Sequence, residues 1–317
     1  MKKRYLILIL LILSVISLFI GVKEITLQGL FKLDQEETEI LLISRIPRLI
    51  SILISGVSIS ICGLIMQQIS QNKFVSPTTA GTMDSARLGI LISMLWFGSA
   101  SLLVKISIAF LFALAGTLLF MKILDKIKLK DVIFVPLVGL MFGNIISSAS
   151  TFFAYKHDLI QNMSSWLQGD FSMMMQGRYE ILYISIPLML IAYFYADRFT
   201  IAGMGEEFAR NLGLNYKQVI HVGLIIVAMI TSSVVLTVGM IPFLGLIVPN
   251  IVSIYYGDHV RKNLPYTALF GAIFVLACDI LGRIVIYPFE VSISLTIGVI
   301  GSAIFLYLLM RSRSYES

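Results

Sequence analysis

Charged residues are sparse in this sequence, and four groups of those that interrupt its apolar runs have spacing suited to a task. The first is Arg45-Ile46-Pro47-Arg48. Two guanidiniums three residues apart, with a proline between them, form a stiff cationic display that can pair bidentately with carboxylates of an external protein or with an anionic ligand. Anchoring to lipid headgroups is the other reading of the same residues. The second group is Gly203 to Gly213, which reads as one short helix. Glu206 and Glu207 at its start and Arg210 near its end match the helix dipole, and Gly213 supplies the stop. A rigid knob of this kind can transmit a push; a plain interfacial connector is the alternative. The third is Asn72 to Arg87, too polar to cross lipid yet joined to apolar runs on both sides. Such backbone must be buried or line a cavity, and Asp84 and Arg87 are spaced to form a structural ion pair on one turn. The fourth is Asp279 with Arg283, four residues apart on one face, followed by Pro288-Phe289-Glu290. Charges inside a membrane mark a function or a pair that holds neighbouring helices together.

Other chemistry is missing. No Gly-rich loop ending in Gly-Lys-Ser or Gly-Lys-Thr occurs, so the chain cannot hydrolyse a nucleotide by the P-loop route, and energy must come from elsewhere. His157, His221 and His259 have no His or Cys partner at ligand spacing, which argues against a metal site. No serine sits in a nucleophile-elbow setting. Cys62 and Cys278 lie inside apolar runs, where a small buried hydrophobe is the expected role.

These groups must be positioned by elements that the composition identifies as membrane spans. With 317 residues, 58% of them hydrophobic and 13% charged, and a mean hydropathy of +0.92, the chain has too little charge to cover a water-soluble globule. Apolar runs at about 5–22, 49–69, 88–100, 104–124, 132–154, 181–196, 219–238, 243–255, 264–285 and 293–310 are long enough to cross or nearly cross a bilayer. The fold class is therefore all-α, a polytopic membrane protein of about ten transmembrane helices in one domain spanning residues 1–317. The third and eighth runs are short and bordered by Gly and Pro, which suggests broken or tilted helices buried among others. Met1-Lys2-Lys3-Arg4 and the run after it resemble a signal peptide without a small-residue cleavage pattern, and read as an uncleaved first span.

The net charge of +6 does not point to nucleic acid, because the 24 Lys and Arg residues are scattered between apolar runs and form no stripe. Alternating spans place Lys2, Lys3, Arg4, Lys73, Lys122, Lys126, Lys128, Lys130, Arg198, Arg210, Lys217, Arg261, Lys262, Arg311 and Arg313 on one side. Lys23, Lys32, Arg45, Arg48, Lys105, Lys156, Arg178 and Arg283 fall on the other, and Arg87 is unassigned. The positive-inside rule makes the first side cytoplasmic, with both termini there. Gly63-Leu64-Ile65-Met66 and Gly245-Leu246-Ile247-Val248 sit at similar places in two halves, a faint sign of duplication.

Taken together, Arg45-Ile46-Pro47-Arg48, Gly63 with Gln67, Trp166-Leu167-Gln168-Gly169, Gly205-Glu206-Glu207 with Ala209 and Leu212-Gly213, Gly239 with Phe243 to Pro249, Gly257-Asp258-His259 and Asp279 with Arg283 resemble the FecCD-type permeases of binding-protein-dependent ABC importers. The resemblance spans nearly the whole chain. Asn72 to Gly81 matches the branch serving catecholate siderophores such as petrobactin, while Pro249-Asn250 stands where Pro-His is usual and Lys73 where proline is usual.

The resemblance implies a permease dimer with about twenty helices around a central pathway, in the manner of the cobalamin permease. The partner is a second copy or, as favoured in this branch, a related second permease. A siderophore-binding lipoprotein would deliver the ligand outside, and two cytoplasmic ATPases would use ATP and Mg, with no cofactor bound by this chain. Arg45, Arg48 and Arg283 match positions that meet acidic residues of the binding protein. Gly205, Glu206, Glu207, Ala209, Arg210, Leu212 and Gly213, within residues 203–213, match the coupling helix. Gln67, Pro77, Asp84, Asn144, Trp166, Pro249 and Asn250 are pathway or gate candidates. Haem or cobalamin is the alternative cargo. An ion-coupled secondary transporter using Asp279 and a lipid-modifying enzyme are the competing classes.

Overall fold

The computed structural model of the protein describes residues 2–21, 35–73, 75–77, 81–126 and 134–313. Val22, Lys23, Lys32, Phe74, Thr78 to Ala80, Lys128, Lys130, Val132 and Ile133, on which parts of the sequence reading rest, lie outside them. Within them the chain forms α1 (Lys3–Phe19), α2 (Gln35–Ile40), α3 (Ile46–Ile69), α4 (Thr82–Trp96), α5 (Leu102–Lys126), α6 (Phe134–Lys156), α7 (Ile160–Leu167), α8 (Ser185–Ala202), α9 (Glu206–Asn211), α10 (Tyr216–Thr237), α11 (Leu244–Tyr256), α12 (Val260–Ile284) and α13 (Ile293–Arg313). Helices close every backbone hydrogen bond within one segment, the condition lipid imposes on a crossing chain.

Among the described residues six stretches are long and apolar enough to cross a membrane: Glu37–Ile69, Leu103–Phe120, Leu137–Lys156, Glu180–Ala202, Tyr216–Thr237 and Val260–Ile284. Leu244–Tyr256 and Ile293–Leu308 are shorter apolar helices. The expected short spans are indeed short, at 15 residues for α4 and 13 for α11. But α4 begins at Thr82, inside the segment that reads as polar connector. Its polar residues are satisfied locally: Ser85 Oγ donates to Gly81 O at 2.8 Å, and the hydroxyls of Thr82 and Thr117 lie 2.9 Å apart. The chain before it turns back into the bundle, with Val75 and Pro77 buried.

The Arg45–Arg48 motif is continuous helix. A π-helical turn, Leu41–Arg45, leads into α3, and Pro47 falls in the first turn of α3. Proline there forfeits a hydrogen bond that the wider turn ahead of it has already rearranged.

α3 is the axle of the bundle, packed by α12, α11, α10 and α8. Glycines allow this. A Cβ on Gly63 would drive into the carbonyl of Gly245 in α11, and one on Gly56 would lie 2.8 Å from Gly271 O in α12. Small residues at such crossings let backbones approach to full van der Waals contact, which replaces the hydrophobic drive absent in lipid.

The helices share two ends. Lys3, whose ammonium lies 5.3 Å from the Tyr266 ring centre, Lys73 and Arg261 sit at one, with the start of α12. Arg45, Arg48 and Arg283 sit at the other.

Replacing Gly63 with Val forces α3 off α11, at a cost of about 1–3 kcal/mol or more. Both cysteines are free and buried, so a thiol-reactive dye reports unfolding directly. The Gly63→Val melt should shift down clearly, and Val299→Ala on an exposed face should leave it in place.

Candidate functional site

Two polar assemblies stand at the two ends of the bundle. At the first, α3 brings Arg48 against α12. Its Nη2 donates to Asp279 Oδ1 at 2.8 Å and its Nη1 to Glu290 Oε2 at 2.7 Å. Arg283 takes the other oxygen of the same carboxylate, Nη2 to Oδ2 at 2.6 Å, and reaches α1, donating from Nη1 to the Ser17 and Ile20 carbonyls at 2.9 Å each. Arg45 also bonds the Ile20 carbonyl. One carboxylate therefore bridges two guanidiniums and ties α1, α3 and α12 together.

Exposure grades these groups. The Arg283 and Asp279 side chains are 2% and 3% exposed, Arg48 12% and Glu290 26%. Of the three arginines matched to docking positions, Arg283 is enclosed with its Nη groups bonded inside the protein. Arg45 and Arg48 stand nearer the surface. The Asp279–Arg283 pair on one turn is present, with Arg48 as a third member. The Asp84–Arg87 pair is not: Arg87 Nη1 turns to Ser147 Oγ at 3.2 Å, and the Asp84 carboxylate lies against Gly143 of α6, where no Cβ intervenes. Both side chains turn to α6, a contact between helices that sequence spacing does not signal.

At the opposite end four candidates converge on one turn of α11. Pro249 has no N–H to give this helix. Leu246 O accepts Asn250 Nδ2 at 2.9 Å and Gln67 Nε2 at 3.2 Å. Asn250 Nδ2 also donates to Lys73 O at 2.8 Å, and the Pro77 ring packs on Gly245. Lys73 Nζ bonds Ser253 Oγ at 3.1 Å and pairs with Asp258 at 3.2 Å. Gln67 and Asn250 are buried; Gln67 ties α3 to α11 and Asn250 ties the backbone at Lys73 to α11. Lys73, Ser253 and Asp258 have no spacing signal linking them in sequence.

The remaining candidates are elsewhere. Asn144 is exposed on α6. Trp166 ends α7 and lines a cavity with Lys105 and Arg178, near the arginine end. Among the described residues no three His, Cys, Asp or Glu side chains gather to hold a metal.

The segment 203–213 is built as its glycines suggest. Gly205 and Gly213 take φ of +108° and +76° on either side of α9, and Gly213 N and Leu214 N close the last turn on Arg210 O and Ala209 O at 2.9 and 3.0 Å. Arg210 and Glu206 pair at 2.5 Å. Ala209 is buried, while Met204, Phe208 and Leu212 are exposed.

Removing the shared carboxylate strands two guanidiniums, a loss of about 3–5 kcal/mol. Asp279→Asn should therefore lower the dye-reported melting midpoint strongly. Glu290→Gln, at a partly exposed position, should cost about 1 kcal/mol or less. Equal melts for the two would remove Asp279 from this role.

The profile of the FecCD transport family matches residues 8–311. The petrobactin import system permease protein YclN of Bacillus subtilis (strain 168) is 66% identical over 315 residues, 99% of this chain and 100% of that protein. The ferric-anguibactin transport system permease protein FatD of Vibrio anguillarum (strain ATCC 68554 / 775) is 41% identical over 93% of this chain and 94% of that one. A solved metal-chelate type ABC transporter in an inward-facing conformation superimposes with a TM-score of 0.84 at 22% identity, covering 97% of this chain and 98% of its own, and shares the fold. By matched length and by identity to these relatives, this chain belongs to the FecCD transport family.

Proposed function

We propose that the chain is the permease subunit of a siderophore ABC importer, carrying a ferric catecholate of the petrobactin type across the cell membrane. The observation that carries this reading is the 66% identity to YclN along essentially the full length of both chains. FatD, which handles ferric anguibactin by name, supports the siderophore class at lower identity.

The geometry supports a passive subunit worked from both ends. The Lys73 end is assigned to the cytoplasm by the charge bias of the connections, which puts both termini inside and the arginine network outside. Ten crossings with α4 and α11 as short buried members fit that assignment. α9 then faces an ATPase. Glycine turns hold it at both ends, the exposed Phe208 on it and Met204 and Leu212 flanking it await a cover, and Gly203 packs on Gln68 next to the Asp258 cluster. An ATPase that moves α9 can thereby bias the α3–α11 contact and switch access by population shift. Outside, Arg45 and Arg48 form the docking corner for an acidic binding protein, and Arg283 contributes by holding Asp279 in place. A related second permease completes the pathway.

Ion coupling through Asp279 is the weaker reading, because discharging that carboxylate would leave Arg48 and Arg283 buried without their shared counter-ion.

Two experiments test this. Proteoliposomes holding the chain with its second permease, ATPase and binding protein should take up ferric petrobactin only with internal-facing ATP, and discharging the proton gradient should leave the rate unchanged. Uptake that persists without the ATPase and collapses with the gradient would sink the importer reading. Phe208→Asp with Leu212→Asp should abolish co-purification of the ATPase while the melt stays within a few degrees of the parent; full recovery of the ATPase would refute the role of α9.

A further inference from the structure

We propose that the cavity between the start of α5, the end of α7 and the segment after it is a subsite for an anionic, aromatic oxygen-donor chelate, a stopping place for a ferric catecholate. This rests on the substrate reading above for the identity of the ligand, but the site itself rests on its own chemistry. The cavity measures about 430 Å³, inside the roughly 300–1,000 Å³ range of small-molecule sites.

Its walls carry two cations, Lys105 and Arg178. Among the described residues neither has an ion-pair partner; the Lys105 ammonium donates to Gly98 O at 2.6 Å. One acid, Asp170, shares the lining, so the two cations outnumber it by one charge, and its oxygens are engaged by a neighbour. Its Oδ1 accepts from Ser172 N and its Oδ2 from Ser172 Oγ, both at 2.8 Å. Positive potential in a concave, partly enclosed wall attracts an anion.

The remaining surface says which kind of anion. Trp166 offers an indole and Met173 a polarisable thioether, partners for a flat aromatic ring. A small inorganic anion would leave both unused. A neutral hydroxamate chelate would leave the cations unmatched. Deprotonated catechol rings wrapped on iron present both a ring face and negative oxygen, and they match both features.

The walls are preformed. Asp170 N donates to Val238 O and Met240 N to Leu167 O, each at 2.9 Å, so the segment after α7 is pinned to the end of α10. Gln168 Nε2 reaches Ser292 Oγ at 3.1 Å, two residues beyond the Glu290 that Arg48 holds. The subsite and the arginine network thus share one stretch of chain, and a binding protein seated on Arg48 would release its ligand beside the cavity.

The test uses the full-length chain in phosphatidylcholine nanodiscs. The sequence has two tryptophans, and Trp96→Phe, at an exposed position, leaves Trp166 as the lone indole. The probe is the ferric complex of plain catechol. Saturable quenching of Trp166 is expected, weakened at least about tenfold in Lys105→Ser with Arg178→Ser and restored to within a few-fold by Lys105→Arg with Arg178→Lys. A neutral ferric trihydroxamate should not saturate, and doping the nanodiscs with phosphatidylglycerol should not compete.

Quenching that is linear, indifferent to both cations in variants whose dye melt is unchanged, or equal for the hydroxamate overturns the subsite. Competition by phosphatidylglycerol would reassign the cavity to a lipid headgroup and overturn it equally. The same variants in the proteoliposome assay separate the two claims. If the parent fails to transport ferric petrobactin while catechol quenching holds, the substrate reading falls and the subsite stands. If transport holds and quenching fails, the reverse is true.

Discussion

Close backbone contact along α3 is the constraint from which the arrangement follows. Lipid gives apolar side chains no reason to prefer one another, so helices in a membrane are held by packing and by the few polar contacts they can complete. Gly63 against Gly245 and Gly56 against Gly271 bring α3 into direct backbone contact with α11 and α12. Two polar clusters stand at the ends of that seam. At one, Asp279 joins Arg48 and Arg283; at the other, the Leu246 carbonyl gathers Gln67 and Asn250.

This arrangement suits a body that rocks rather than one that melts. In the proposed transport cycle a small rotation about the α3 seam would change the two ends in opposite senses, with the close glycine contacts as its pivot. The Asp279 network is enclosed and holds α1 as well as α3 and α12. The Lys73–Asp258–Ser253 cluster is exposed and weaker, since solvent screens it. The same end also holds the buried Gln67 and Asn250 contacts, and under the proposed function it is the end where an ATPase would apply force.

Charge also divides the surface by task. Arg45 and Arg48 are engaged by groups of the protein itself, and Glu290, the most exposed member of that network, is the carboxylate an external one could replace. Lys105 and Arg178 in the nearby cavity have no such carboxylate among the described residues. Cations whose charge is internally matched hold the helices together. Cations left unmatched in a concave wall are suited to a ligand.

The sequence by itself determined that this is a helical membrane protein, because twenty-residue apolar runs have no other stable home. It also determined the α9 knob, because glycine stops and dipole-matched charges act within one turn, and the shortness of α4 and α11, because Gly and Pro border them. The same local logic found the Asp279–Arg283 pair, four residues apart on one helix. It failed where the partner lay on another helix. Arg87 goes to Ser147 and not to Asp84, Arg283 reaches across to the Ser17 and Ile20 carbonyls, and Lys73 meets Asp258. Residues separated by tens or hundreds of positions carry no spacing signal, and only the packing of α3 against its neighbours brings them within bonding distance. Whether an arginine faces the outside or closes a buried network is decided there, in the tertiary structure.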